Sequence, residues 1–210
     1  METLMIIAGI LLAYLLGSIP SAVWVGKAFY GIDVRKEGSG NAGATNTIRV
    51  LGAKAGVPVL LIDVIKGWLA VFLMAWFIPE SFSELQTTYL RIGAATAAVL
   101  GHVFPVFAGF KGGKGIATLL GVGIALYPLA VLVVVGLFIF VLLVSGYVSL
   151  ASITGSVSFP LIVIFLFNPD SLPLIMLAIF VGIFVPLTHR KNIGRLLNGT
   201  ESKFSLRKKS

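Results

Sequence analysis

Six apolar runs dominate the chain, at about residues 4–25, 57–78, 90–110, 116–144, 148–167 and 172–187, and almost no charge interrupts them. A single bilayer crossing takes a helix of ~17–25 residues. All but one of these runs are near or within that length. Only 11% of the 210 residues are charged and 58% are apolar, against about a quarter charged in a soluble domain. A chain of this composition has more apolar surface than a soluble core can hide, so it reads as an all-α integral membrane protein. The start of the chain imitates a signal peptide, with an apolar run from Leu4 to Leu16 and small residues at Gly17 and Ser18. Glu2 stands where a basic region belongs, however, and the run resumes through Ala22, Val23, Trp24 and Val25. A retained first helix is therefore expected.

The run 116–144 is the exception. Its 29 residues would make one helix of about 43 Å at ~1.5 Å per residue, too long for one crossing and short for two. Tyr127–Pro128 sits inside it, where proline tends to break a helix. Positive charge argues for the split. Basic residues gather in the first loop with its flanks (Lys27, Arg35, Lys36, Arg49, Lys54, Lys66), in the loop after the third run (Lys111, Lys114) and in the tail (Arg190, Lys191, Arg195, Lys203, Arg207, Lys208, Lys209). The connection at 79–90 has none. With all three basic regions cytoplasmic, the number of crossings is odd. Splitting the long run gives seven, with the N-terminus outside and the C-terminus cytoplasmic. The first half, 116–127, would then be only about 18 Å long and would cross partway or where the bilayer thins. The expected domain organisation is one helical membrane domain over 1–199 and a basic cytoplasmic tail over 200–210.

The formal net charge is +8, from 16 Lys+Arg against 8 Asp+Glu. Because apolar runs separate these charges, a cytoplasmic membrane surface and anionic substrates account for them better than nucleic acid does. Cysteine is absent, which excludes disulfides and thiolate chemistry.

The loops carry the chemistry. The first, 33–56, is dense in Gly38, Ser39, Gly40, Asn41, Gly43, Thr45, Asn46 and Thr47, with Arg35, Lys36 and Arg49 nearby. Glycines let backbone amides approach an anion, and arginine grips phosphate in a fork. A flexible tether touching anionic headgroups would not need such a density of amides and hydroxyls. Gly38, Gly40 and Gly43 match a dinucleotide-binding fingerprint by accident, since no strand leads into Gly38 and Asp63 lies in a membrane run. The second loop, 108–118, fails the P-loop pattern at Ala108 and at Gly115. Gly112, Gly113 and Gly115 around Lys114 still offer amides and an ammonium at a helix N-terminus, where anions bind. The uncharged loop 145–152 holds Ser145, Ser149 and Ser152, which equally well bond back to their own helix. In the tail, His189 and Asn192 share a helix face at i,i+3, and a plain basic anchor would need neither. Asp63 and Lys66, also i,i+3, read as a structural pair pinning the second run against the first loop, and His102 as a helix-packing hydrogen bonder.

Five segments, GSIPSA (17–22), GSGNAGATNTIR (38–49), DVIKG (63–67), GHVFPVFAGFKGGKG (101–115) and HRKNIGRL (189–196), together resemble the bacterial acyl-phosphate-dependent glycerol-3-phosphate acyltransferases across almost the whole chain. The resemblance implies a seven-helix enzyme of the bacterial cytoplasmic (inner) membrane with its active site at the cytoplasmic face. It would move a fatty acyl group from acyl phosphate to the 1-hydroxyl of glycerol 3-phosphate, giving lysophosphatidic acid and inorganic phosphate, the first step in phospholipid synthesis. It further implies that Ser39, Arg49 and Lys114 hold the phosphate of glycerol 3-phosphate and that His189 and Asn192 orient its hydroxyls as the catalytic pair. Gly112, Gly113 and Ser152 would receive the acyl phosphate, while Asn41, Thr45 and Asn46 shape the first loop. The partners implied are the two substrates and membrane lipids, with no cofactor and no metal. Oligomeric state stays open, a monomer included, and residues past Gly199 are assigned no role.

An acyl phosphate is already activated, so positioning and charge stabilisation suffice for catalysis. The chain offers no nucleophile–base pair, and direct attack without an acyl-enzyme is expected. The His-x-x-x-x-Asp arrangement of other acyltransferases is absent, since Phe107 and Gly194 stand where the aspartate would follow His102 and His189. The rival reading is a transporter of phosphate or a phosphorylated small solute. It would place polar groups along several helices near midplane, whereas here they gather in loops. A regulatory subunit would leave the glycine loops unexplained.

Overall fold

The computed structural model describes residues 1–205, which contain helices and no strand. Arg207, Lys208 and Lys209 of the expected tail lie outside the described residues. The first run is not one helix. Helix α1 (Glu2–Gly17) stops ahead of Pro20, which disfavours helical geometry at Ile19, and α2 (Ser21–Tyr30) leaves at a bend of 43°. The first loop holds a short amphipathic helix, α3 (Ala44–Leu51), closed by Gly52 at a positive φ of 88°. Then come α4 (Ala53–Met74) and α5 (Glu84–Val103). A reciprocal capping box starts α5: the Ser83 hydroxyl accepts from the Gln86 amide, and the Gln86 side chain accepts from the Ser83 amide at 2.8 Å.

The long run divides at Tyr127–Pro128 as expected, into α6 (Ile116–Leu126) and α7 (Pro128–Ser145), with proline at the first position of α7 where its missing N–H costs nothing. Next, α8 (Val148–Leu161) continues into a π-helical turn, Ile162–Phe167, just after Pro160. Last are α9 (Leu172–Thr188) and α10 (Arg190–Leu197), bent by 60° at His189. Among the described residues, four helices are long and apolar enough to cross a membrane, with up to six spans if each bent pair counts as one. The 11 residues of α6 fall short on their own.

The chain forms two compact units, Met1–Ala125 and Leu126–Phe204. In the first, small side chains let helix backbones meet. Ala13, Ala70, Ala94, Ala97 and Ala98 pack with Met74 into one cluster. A Cβ on Gly17 would strike the Ala98 carbonyl, and one on Gly101 the Tyr14 carbonyl, so α1 and α5 touch backbone to backbone. Gly67 and Gly121 do the same for α4 and α6, meeting Thr118 and Val64. A second cluster of Ala22, Val34, Leu51, Ala55 and Val59 seats the first loop on α2 and α4. In the second unit α8 lies between α7 and α9. There Tyr127 packs edge-on against Phe159 at 5.1 Å and donates to the Leu174 carbonyl at 2.7 Å.

Candidate active site

In the first unit the polar first loop is fixed from within. Asn46, 1% exposed, donates to the carbonyls of Val34 (2.8 Å) and Glu37 (3.1 Å) and accepts from the Ser39 amide (2.8 Å). One side chain thus ties both ends of the turn 34–39. Gly38 adopts a φ of 60° there, and an added Cβ would strike the Asn46 amide oxygen and lie 3.5 Å from Arg49 Cδ, so the Arg49 stem runs beside this turn. The Thr47 hydroxyl donates to the Gly43 carbonyl at 3.1 Å. Arg35 grips Asp33 with two side-chain bonds, at 2.9 and 2.7 Å, and donates to the Ala108 carbonyl at 2.8 Å, tying the first loop to the second. That guanidinium holds the Asp33 carboxyl far below the usual carboxylate range.

The second loop folds back on the end of α5. The Gly112 amide donates to the Val103 carbonyl (3.1 Å) and the Gly113 amide to the His102 carbonyl (3.2 Å). These two amides are therefore engaged with the protein, and what the glycines contribute is room. A Cβ on Gly112 would strike the His102 carbonyl, and one on Gly113 the His102 imidazole and, at 2.9 Å, the Ala42 carbonyl. Close approach of the two loops thus depends on Gly113. Lys114 follows, half-buried, just ahead of α6.

Asp63 and Lys66 do pair, at 2.7 Å, but not against the first loop. Lys66 donates to the Ile19 carbonyl (2.8 Å) and Asp63 accepts from the Ser21 hydroxyl (2.7 Å). The pair therefore pins the α1–α2 break. His102 joins them with Nδ1 3.6 Å from Asp63 Oδ1, within ion-pair range and beyond a direct hydrogen bond.

The second unit builds its polar cluster on a residue the sequence left without a role. Glu201 Oε1 accepts from Ser149 (3.0 Å) and Asn192 (2.8 Å), while Oε2 pairs with Arg195. Burial pushes this carboxyl up, but the bonds from Arg195, Asn192 and Ser149 outweigh it and hold the pKa below its ordinary value. A signal for it does exist: Glu201 is the one acidic residue among the basic residues that follow α9. His189, 3% exposed, sits at the α9–α10 bend with Nδ1 2.9 Å from the Val185 carbonyl. A carbonyl can only accept, so Nδ1 carries a proton and points the ring's other nitrogen, Nε2, away from Val185. Ser152 donates to the Val148 carbonyl of its own helix at 2.9 Å. The structure thus groups Ser39, Asn41, Thr45, Asn46, Arg49, Gly112, Gly113 and Lys114 on the loops of the first unit, and Ser152, His189 and Asn192 in the second.

A family model for glycerol-3-phosphate acyltransferase matches residues 7–199. The chain belongs to the glycerol-3-phosphate acyltransferase family. A glycerol-3-phosphate acyltransferase of Fusobacterium nucleatum subsp. nucleatum is 46% identical over 195 residues, 93% of this chain and 96% of that one. Another, from Chlorobium limicola, is 43% identical over 99% of this chain and all of its own length, 100%. Two solved structures share the fold, both of PlsY (YgiH), an integral membrane glycerol 3-phosphate acyltransferase. Its glycerol 3-phosphate form is 39% identical with a TM-score of 0.83, covering 95% of this chain and 96% of that one. Its lysophosphatidic acid form is 38% identical with a TM-score of 0.81, covering 96% of each. With its apolar helices, this acyltransferase-family chain is a multi-pass membrane protein.

Proposed function

We propose that the chain transfers a fatty acyl group from acyl phosphate to the 1-hydroxyl of glycerol 3-phosphate, releasing lysophosphatidic acid and inorganic phosphate. The observation that carries this reading is the 39% identity and 0.83 TM-score, over 95% of the chain, to an acyltransferase in its glycerol 3-phosphate form. The cationic loops of the first unit fit it as well. Ser39, Arg49 and Lys114 hold the phosphate, on a first loop shaped by Asn41, Thr45 and Asn46. Gly112 and Gly113, on a turn whose closeness to His102 their missing side chains allow, receive the acyl phosphate, and the Ser152 hydroxyl, on turning from the Val148 carbonyl, donates to it. His189 and Asn192 orient the glycerol hydroxyls.

The hydroxyl oxygen attacks the acyl carbon directly. The new ester C–O bond forms, the acyl C–O bond to phosphate breaks, and inorganic phosphate leaves with that electron pair. The hydroxyl proton passes to a phosphate oxygen of a substrate. No residue is acylated, and isolating an acylated Ser39 or Ser152 would sink this route. Residues 1–199 act as one membrane domain with seven crossings: α1 with α2, then α4 to α8, then α9. The N-terminus lies outside, and the loops and tail face the cytoplasm of a bacterial inner membrane. The chain has no cysteine, so single cysteines at Glu2 and Asn198 test this with an impermeant thiol reagent. Labelling both from the same side would overturn the odd count.

The decisive assay is phosphate release from palmitoyl phosphate by the purified protein, with and without glycerol 3-phosphate, with acyl-CoA as the parallel donor. Release that needs glycerol 3-phosphate and prefers acyl phosphate establishes the activity. Silence with every donor, together with movement of glycerol phosphate into vesicles, would hand the case to a transporter.

A further inference from the structure

The reaction just described leaves His102 without a task, yet its ring lies where two systems meet. On one side Nδ1 faces Asp63 Oδ1 at 3.6 Å, and Asp63 is itself clamped by Lys66 and Ser21, each at 2.7 Å. On the other side Nε2 presses on Gly113, close enough that a Cβ there would strike it, with the Ala42 carbonyl 2.9 Å from the same point. The His102 carbonyl also accepts the Gly113 amide at 3.2 Å. Ser21, Asp63, Lys66 and His102 are 4%, 1%, 3% and 6% exposed, so solvent cannot take over any of these interactions. A buried ion pair holds its geometry stiffly, because separating the partners leaves an uncompensated charge. Asp63, Lys66 and Ser21 could pin α4 to the α1–α2 break without a histidine. The ring adds a strut from that rigid pair to the turn that carries Lys114.

We propose that His102 is a positioning residue of the phosphate site: braced by Asp63, its imidazole sets where the Gly112–Gly113–Lys114 turn sits against the Ala42 backbone of the first loop. This rests on the acyltransferase reading, in which Lys114 grips the phosphate of glycerol 3-phosphate. Loss of the ring lets the turn settle away from the first loop, so Lys114 meets the phosphate of glycerol 3-phosphate poorly, while His189 and Asn192, which His102 does not touch, are unchanged and saturating donor offsets any loss at Gly113.

The test is steady-state kinetics of the full chain in detergent, varying glycerol 3-phosphate at saturating palmitoyl phosphate, for His102→Ala, His102→Gln and His102→Asn. In His102→Ala, KM for glycerol 3-phosphate should rise about tenfold, part of the effect of losing the charge-assisted hydrogen bond from Lys114, with kcat within about threefold of wild type. Glutamine places an amide near the Nε2 position and asparagine near Nδ1. Glutamine should therefore restore KM further than asparagine. A folded His102→Ala enzyme with unchanged KM, or one that loses kcat alone, overturns the proposal. If the alanine variant does not fold, equal KM values for the glutamine and asparagine variants overturn it. A wild-type protein that releases no phosphate with glycerol 3-phosphate refutes the acyltransferase reading instead. Amide exchange over 111–117 then decides the positioning role: faster exchange there in the variants than in wild type, with 84–95 unchanged, supports it, and no difference overturns it.

Discussion

The two units solve the problem of a polar site in an apolar chain in opposite ways. In the first unit the loop backbone is satisfied internally, through Asn46, the Arg35–Asp33 clamp and the return of the Gly112 and Gly113 amides to α5. Cationic side chains, Arg49 and Lys114, stand on that framework. In the second unit one carboxylate, Glu201, gathers three neutral or basic partners and fixes them by direct bonds. The difference suits what the proposed reaction would ask of each half. A doubly charged phosphate needs charge on a firm backbone. A hydroxyl needs neutral groups whose rotamers are already set.

The largest break in this comparison should come from charge. Lys114→Ala is expected to cut kcat/KM for glycerol 3-phosphate about 100-fold, the effect of removing one charge-assisted hydrogen bond to phosphate in a shielded site. Arg49→Lys keeps the charge and loses the fork, so it should cost less than Arg49→Ala. Equal losses would mean that the fork, and not charge alone, defines the first unit's site.

On the other side, Glu201→Ala should lower activity about tenfold and depress the melting temperature as well, because Ser149, Asn192 and Arg195 lose a shared acceptor at once. The coupling of the two effects is the informative result. Lys114→Ala should leave the melting temperature near wild type. A Glu201→Ala protein with normal melting and normal rate would show that Asn192 keeps its place without the carboxylate.

Much of this contrast was legible from residue types, and the remainder was not for physical reasons. The all-helical membrane character, the break at Tyr127–Pro128 and the two glycine loops follow from apolar run length, proline geometry and glycine spacing, all local signals. The bend at Ser18–Pro20 hid inside an apolar run because hydropathy does not register a missing N–H. Helix α3 hid inside a polar loop, being only eight residues, Ala44–Leu51. The use of the Gly112 and Gly113 amides, the strut from His102 and the reach of Glu201 back to Ser149 depend on residues distant in sequence. No spacing rule reports such pairings. Glycine next to lysine suggested amides offered to an anion, and the fold instead uses those glycines for closeness.

The helix seams sharpen the comparison on the stability side. Gly101→Ala puts a methyl against the Tyr14 carbonyl, which neither backbone can yield cheaply, and should destabilise the first unit by about 1–3 kcal/mol, as overpacking does. Gly136 in α7 has nothing within 4 Å of an added Cβ. There alanine should be neutral or stabilise by up to ~1 kcal/mol through helix propensity. Thermal unfolding of the two variants in one detergent checks the pair, and similar shifts would deny that the seams differ.

The smallest expected effect is the dependence of the Glu201 cluster on pH, and its sign is fixed by the direction of the shift. Because the folded-state pKa is lowered, the carboxylate contributes stability above its unfolded pKa of about 4.3. That contribution fades as the pH falls through the lower folded value, since both states are then protonated. Glu201→Gln keeps the shape and removes the charge. It should therefore melt below wild type at pH 7, with the gap closing as the pH falls past the unfolded pKa and through the lower folded one. A gap that stays constant from neutral to acid would mean that Glu201 holds Ser149, Asn192 and Arg195 by shape and hydrogen bonding alone. The second unit's site would then depend on no charge at all, which is the furthest it could stand from the first.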